Sequence, residues 1–378
     1  MKFSVISLRT ISKKSIDVKK ELDACRPCPV KKRINHEKPF ALEQLEEHPR
    51  SSPGPAAVTD YCRDQDKEAC WGLLQELQGI VVKGANKKTP WTCNVNSVVK
   101  QMKKMVVREE YVAKVVPNRT FSNQIHPTMT KTLVLVGAKW GELGVWDVDR
   151  KDESNRAHFF NPHIRPINCL TVDPTSPNHI YTTSYDGSVR TDLEAGIIQQ
   201  VYSYLPKNDH SQWVSWHTHV DQHTLLVAAS HGKIIKLDLR QDSKKPSSMF
   251  QVHNYNNVKV VTQHPMNSSY FASTGRDGKV CLWDVRKMRP NSPVSEWAQR
   301  KQISVLEFSP VTCNTLISTC ADDYLRFISC DLSSLTVSRE IKHDNHTGRW
   351  LTTFKARFVP HQDDLIIVGS MRQPHKVK

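Results

Sequence analysis

Five aspartates fall at nearly constant intervals along most of this chain. Asp147, Asp192, Asp238, Asp284 and Asp331 are separated by 45, 46, 46 and 47 residues. Each closes an apolar stretch: Trp146-Asp147, Thr191-Asp192, Leu237-Asp238, Trp283-Asp284 and Cys330-Asp331. A second series keeps the same register, with turn prolines at His126-Pro127, Asp173-Pro174, His264-Pro265 and Ser309-Pro310. A third series interleaves with both: Asp186-Gly187, His231-Gly232 and Asp277-Gly278, with Asp322-Asp323 in the next slot. Each unit reads as strand, Pro turn, strand, Asp-Gly turn, strand ending in the aspartate, and a final strand. Pairs such as Leu170/Val172 and Ile180/Thr182 supply the alternation and β-branching that strands need.

A period of ~40–45 residues carrying four short strands resembles the WD40 type of repeat and implies an all-β propeller over residues 115–378. A seven-bladed ring needs roughly 315 residues at that period, whereas about 260 follow Val115. The sixth unit stops after Leu365-Ile366-Ile367-Val368-Gly369, before an aspartate of its own. The expected fold is therefore a WD40 β-propeller of the seven-bladed type, truncated to about five and a half blades and incomplete at its C-terminus. Such a ring leaves a sheet edge and a core face in need of a cover.

Two further segments precede the repeats. Residues 1–60 lack hydrophobic periodicity and contain Lys19-Lys20, Lys31-Lys32-Arg33 and Arg50-Ser-Ser-Pro-Gly-Pro, the composition of a disordered basic arm. Pro29-Val-Lys-Lys-Arg33 has the form of a nuclear-import signal, and equally of a solvated charge run. Cys25 and Cys28, with no second pair, read as free thiols rather than a zinc site. No secretory or membrane-spanning run is present in the first residues, so the expected location is the cytosol or the nucleus. Residues 61–114 form a helical segment: Ala69, Leu73, Leu74 and Leu77 share one helical face, and Val95, Val98, Val99, Met102, Met105 and Val106 share another. These helices are expected to dock on the propeller or else into a partner.

Propellers act through the loops at their rims, because the strands only build the scaffold. The Asp-Gly turns and the loops entering each unit lie on one face, termed the top. Net charge is +15, and the top face carries a share of it: Arg119, Lys139, His163, Arg165, Arg276, Arg300 and Lys301, with Trp140, Tyr185 and His231 among them. A ring of cations suits a phosphate backbone. The step from Pro310 to Pro360 is 50 residues against 45 for the step before it, and the excess falls in His343–Trp350. A Gly348-Arg349-Trp350 tip suits a nucleic-acid groove, Trp350 stacking and Arg349 meeting phosphate or a base edge. Alternatively, Trp350 begins the next strand and packs inward. On the opposite face Trp283-Asp284-Val285-Arg286 and Leu237-Asp238-Leu239-Arg240 repeat one arrangement, with Arg286 free of any evident scaffold duty.

These segments, with Val115-Val-Pro-Asn-Arg119, Gly137–Asp147, Ser184–Arg190 and His346–Thr352, resemble the damaged-DNA-binding WD-repeat family. The resemblance implies a chromatin protein that binds damaged or modified duplex DNA. The candidate DNA contacts are Arg119, Lys139, Trp140, Arg165, Arg276, Arg349 and Trp350, and the resemblance implies that Lys139 is a DNA-contacting lysine. It also implies that Trp283, Asp284, Arg286 and Arg240 meet the adaptor of a cullin-4 ubiquitin ligase, damage-binding protein subunit 1, with histones as a further partner. Gly348-Arg349-Trp350 departs from the Phe-Gln-His hairpin of the damage-sensing relative, which leaves the lesion open. No phosphate loop, nucleophile elbow or metal motif is present, so no enzyme, cofactor, metal, membrane or small-molecule substrate is expected. The competing expectation is an interaction scaffold that binds acidic peptides or histone tails without reading DNA.

Overall fold

The computed structural model describes residues 3–7, 55–62, 67–68, 71–72, 75, 95–104, 106, 112–128, 130–150, 157–203, 213–241, 246–347 and 352–370. Among these residues are six antiparallel sheets. The first comprises β3 (Thr120–Ile125), β4 (Leu133–Ala138), β5 (Leu143–Asp147) and β6 (Ala157–Phe160). The second holds β7 (Ile167–Val172), β8 (His179–Ser184), β9 (Gly187–Asp192) and β10 (Ile197–Tyr202), with β2 (Ala56–Ala57) added outside β10. The third is β11 (Val214–Asp221), β12 (Thr224–Ala229), β13 (Lys233–Asp238) and β14 (Ser248–Gln251). The fourth is β15 (Val258–Gln263), β16 (Tyr270–Gly275), β17 (Lys279–Asp284) and β18 (Ser295–Ala298). The fifth is β19 (Ile303–Phe308), β20 (Thr315–Cys320), β21 (Tyr324–Cys330) and β22 (Leu335–Lys342). The all-β propeller expected from the period is the fold observed, with the aspartate series ending the third strand of the first four sheets.

Inner strands β3, β7, β11, β15 and β19 pack in chain order. The second strands of the sheets are buried on both faces, as in β12 and β20, where five of six residues are buried. Glycine in the Asp-Gly turns has a physical reason. Gly278 sits at φ +75, and a Cβ there would lie 2.7 Å from the Gln299 carbonyl.

The sixth sheet has an unexpected composition. Its own unit supplies β23 (Arg357–Phe358) and β24 (Leu365–Gly369), and the third strand is β1 (Phe3–Ser7). β1 runs antiparallel to β24 from Phe3↔Gly369 to Ser7↔Leu365. Thus two stretches of the expected arm, β1 and β2, are strands, because each supplies backbone partners to a sheet edge. The helix α1 (Val95–Lys103) lays Val95, Val98, Val99 and Met102 against Val359, Leu365 and Ile367. This is the docking expected of the helical segment; the first expected helix lies largely outside the described residues.

The sixth sheet joins both neighbours. On one side Phe358, Ile366 and Val368 pack with Ile317, Leu325 and Phe327 of the fifth sheet, and Ala356 N–H donates to Thr319 Oγ1 (3.0 Å). On the other side Thr352 Oγ1 donates to the Thr120 carbonyl (2.6 Å) and Lys355 Nζ to the Phe121 carbonyl (3.3 Å), both at the first sheet.

Buried polar chains brace individual sheets. In the fourth, His253 Nδ1 meets Asp277 (3.1 Å) and Nε2 meets Ser273 Oγ (2.9 Å), which also accepts the Trp283 indole N–H (2.9 Å). In the second, His163 joins Asp186 (2.7 Å) and Thr182 (2.9 Å). His163 is therefore a buried brace and not one of the surface cations of the top face. In the fifth, Gln299 and Arg326 take these places, with Arg326 paired to Asp322 (2.7 Å) and Glu340 (2.5 Å).

Candidate functional site

Two clusters on the top face alternate cations with aromatic rings. In the first sheet, Arg119 lies just before β3 and its guanidinium stands 4.7 Å over the Phe121 ring. Its carbonyl accepts the Lys139 N–H (2.9 Å), which ties the entering loop to the β4–β5 turn. Lys139 in turn lies 4.5 Å over the Trp140 ring, which is 40% exposed. Buried Glu142 fixes this arrangement by accepting the Trp140 N–H (2.9 Å) and the Asn118 amide. Arg119, Lys139 and Trp140 are thus brought together.

The second cluster spans the second, third and fourth sheets. Tyr185, in the β8–β9 turn, meets Trp213 edge to face at 4.9 Å. Lys259 on β15 lies 6.0 Å from the centre of the Trp213 ring. Arg276, in the β16–β17 turn, is exposed and close enough to act on Lys259. Burial lowers the Lys259 pKa, and the charge of Arg276 lowers it further. A cation at an indole with a second cation near the first produces a positive, ring-faced surface, suited to a phosphate on one side and a stacked base on the other.

Trp213 and Lys259 were not among the residues expected from the sequence. The β11–β12 turn, Asp221–Thr224, has no proline, so the third unit lacks the marker that would align its entering loop. Lys259 reads as an ordinary outward residue of a strand until its neighbours are known. Arg165 is exposed on the loop entering β7. Arg349 and Trp350 lie outside the described residues. The flanks of their loop are held: Asn345 N–H donates to Asp323 (2.9 Å) and its amide to the Cys320 carbonyl (2.7 Å), while Thr352 bonds Thr120 beside Arg119. His343 Nδ1 meets Asn345 (2.7 Å), a loop-bracing role.

On the opposite face two sheets carry the same fork. Arg286 Nε and Nη2 donate to the two oxygens of Asp284 (2.9 and 2.8 Å), and Arg240 does the same with Asp238 (2.9 and 2.6 Å). The arginine bonds hold both carboxyls at a pKa of about 2. Arg286 thus has a scaffold contact that the sequence did not reveal, and it also stands 5.7 Å over the Tyr270 ring. Even so, the side chains of Arg286 and Arg240 remain 62% and 66% exposed. Trp283 is 1% exposed and Asp284 is buried, so of these four positions the arginines alone present their heads to solvent.

A model of the WD domain, G-beta repeat, matches residues 154–191 and 244–284. With six sheets, the period and these braces, the fold is an all-β WD40 propeller. It is similar to WD repeat-containing protein 76 of Xenopus laevis, 31% identical across 88% of this chain and 58% of that protein. The same protein of Mus musculus is 33% identical across 89% of the chain and 54% of its own length. DNA damage-binding protein 2 of Oryza sativa subsp. japonica is 32% identical across 65% of the chain and 43% of that protein. The chain spans about half the length of the curated relatives it matches, and it is related to DNA damage-binding proteins.

Proposed function

We propose that this chain is a non-enzymatic, nuclear DNA-binding protein of chromatin whose top face grips damaged or modified duplex. The observation that carries the reading is Lys259 at the Trp213 ring with Arg276 acting on Lys259, together with the Arg119–Lys139–Trp140 cluster. Cations engage phosphates, and the exposed rings offer faces to an unstacked base. The relationship to DNA damage-binding proteins favours duplex DNA over an acidic peptide as the ligand.

The opposite face supports a second half of the same reading, as substrate receptor for a cullin-4 ligase through its adaptor. Fixed guanidinium groups on adjacent sheets are pre-organised to meet carboxylates of a partner protein. Fluorescence anisotropy of a labelled duplex across a salt series tests the DNA reading. Binding that weakens with salt and fails when Lys259 and Arg276 are both alanine supports it. Binding that persists unchanged in that variant overturns it.

A further inference from the structure

Lys355 occupies a singular place. It lies just before β23, the inner strand of the sixth sheet, whose neighbours are the fifth and first sheets. Its ammonium donates to the Phe121 carbonyl on the first sheet (3.3 Å). It also stands 4.8 Å over the ring of Trp216 on β11, in the third sheet. A contact from the sixth sheet to the third passes across the middle of the ring, so Lys355 reaches into the axial space. Cys169, on the second sheet, is also within its electrostatic reach.

A cation held there has unusual company. Among the described residues Lys355 forms no ion pair with a carboxylate. Its neighbour Arg357 is a second cation. Glu307 is already engaged, by Arg357 (3.1 Å) and by the Phe358 N–H (3.3 Å). Enclosure lowers the Lys355 pKa to about 8; Cys169 partly opposes this, and the charge of Arg357 adds to it. The side chain nevertheless keeps partial solvent exposure. An enclosed charge without an acid partner is costly to the fold. Such a group is a natural receptor for an anion, because a bound anion removes that cost.

We propose that the axial space is an oxyanion site in which Lys355 binds a phosphate group, with the Trp216 face as its apolar wall and Arg357 adding positive field. The phosphate has two sources, a free polyphosphate or the terminal phosphate of a DNA end. The proposal does not rest on the grip of the top face on duplex DNA, because a free polyphosphate tests it without DNA.

The experiment titrates the full chain with tripolyphosphate, reading the thermal midpoint and the broadening of the 31P resonance. Lys355→Met keeps the aliphatic stem and removes the charge; Lys355→Arg keeps the charge. The wild-type and arginine chains should gain stability with ligand, and the methionine chain should bind at least ~10-fold more weakly, the scale of a lost charged hydrogen bond. Circular dichroism and the ligand-free midpoint of Lys355→Met report whether it has folded; should it not, loss of the gain on mild acetylation of the wild-type lysines, with tripolyphosphate protecting Lys355 in peptide mapping, supports the site. An equal gain in Lys355→Met, no gain in the wild type, or acetylation of Lys355 unaffected by ligand overturns it. Duplexes with 5′-phosphate and 5′-hydroxyl ends then separate the sources: a preference for the phosphorylated end that Lys355→Met loses assigns the DNA end, and equal affinities assign the free polyphosphate.

Discussion

Trp283 and His253 share one hydroxyl. Ser273 Oγ accepts the indole N–H at 2.9 Å and meets His253 Nε2 at the same distance, and His253 passes the connection on to Asp277. One small side chain thereby satisfies two buried ring nitrogens on two other segments of the structure. Ser273→Ala strands both, at about 1–3 kcal/mol for each unmet group. Urea unfolding should therefore show a loss of several kcal/mol. Trp146, in the first sheet, is the comparison, since its indole nitrogen has no partner among the described residues. Trp146→Phe should cost less than Trp283→Phe, and the reverse order would refute this account.

Acid should unfold the chain early. Burial lowers the pKa of His126, His217, His219 and His264, and for His217 the charge of His219 lowers it further. A base whose folded pKa is depressed contributes stability that is full above its unfolded pKa of about 6.5 and is lost as pH falls below it. Asp186 and Asp277 have depressed pKa values, so their contribution is lost only below about 4. The thermal midpoint should thus fall between about pH 6.5 and 4.5, and His217→Gln should flatten that slope. A wild-type midpoint constant over this window would be incompatible with buried neutral imidazoles.

Charge and stacking on the top face are separable in binding experiments. Arg276→Ala should reduce the magnitude of the slope of log K against log salt by about 0.9, the value for one phosphate contact. Trp213→Ala should leave the slope in place and weaken binding by ~1–3 kcal/mol, as loss of one stacked base does. Identical behaviour of the two variants would show that the face does not divide its work in this way.

The opposite face makes a different demand. Arg286→Ala and Arg240→Ala remove exposed heads and should leave the thermal midpoint unmoved while weakening capture of the ligase adaptor. Asp284→Ala should lower the midpoint, because Asp284 also accepts the Arg286 N–H that closes the turn (3.0 Å). Co-purification with purified adaptor and a melting curve read the two effects; undiminished capture by the double arginine variant would remove this face from consideration.

A chain that begins after Ser7 tests the sixth sheet. It lacks β1, so β24 presents its edge. Size-exclusion chromatography should show association, and a monomer of unchanged midpoint would mean that β1 contributes nothing to the ring.

Much of this fold was legible because its rules are local and repeated. The aspartate series marks strand ends, the glycine series marks turns with positive φ, and the apolar runs between them leave one reading. Contacts that join distant segments carry no such mark. Phe3–Ser7 is five residues of modest alternation, and its partner lies at the other end of the chain. The top face was read in the same uneven way. Arg119, Lys139, Trp140 and Arg276 sit in slots that the period defines, whereas Trp213 enters a unit without its proline. The Arg286–Asp284 fork escaped notice because a fork between residues two apart depends on backbone geometry at the turn.

The pairing of Phe3 with Gly369 also sets a schedule for folding. Sheets one to five draw on nearby strands and can form as the chain leaves the ribosome. The sixth must wait until Gly369 has been made, while β1 stays without a mate. During that interval β1 is available to any exposed edge, including that of another nascent copy. The rate-limiting event in making this ring should be the meeting of β1 with β24, and dilution should favour the correct outcome.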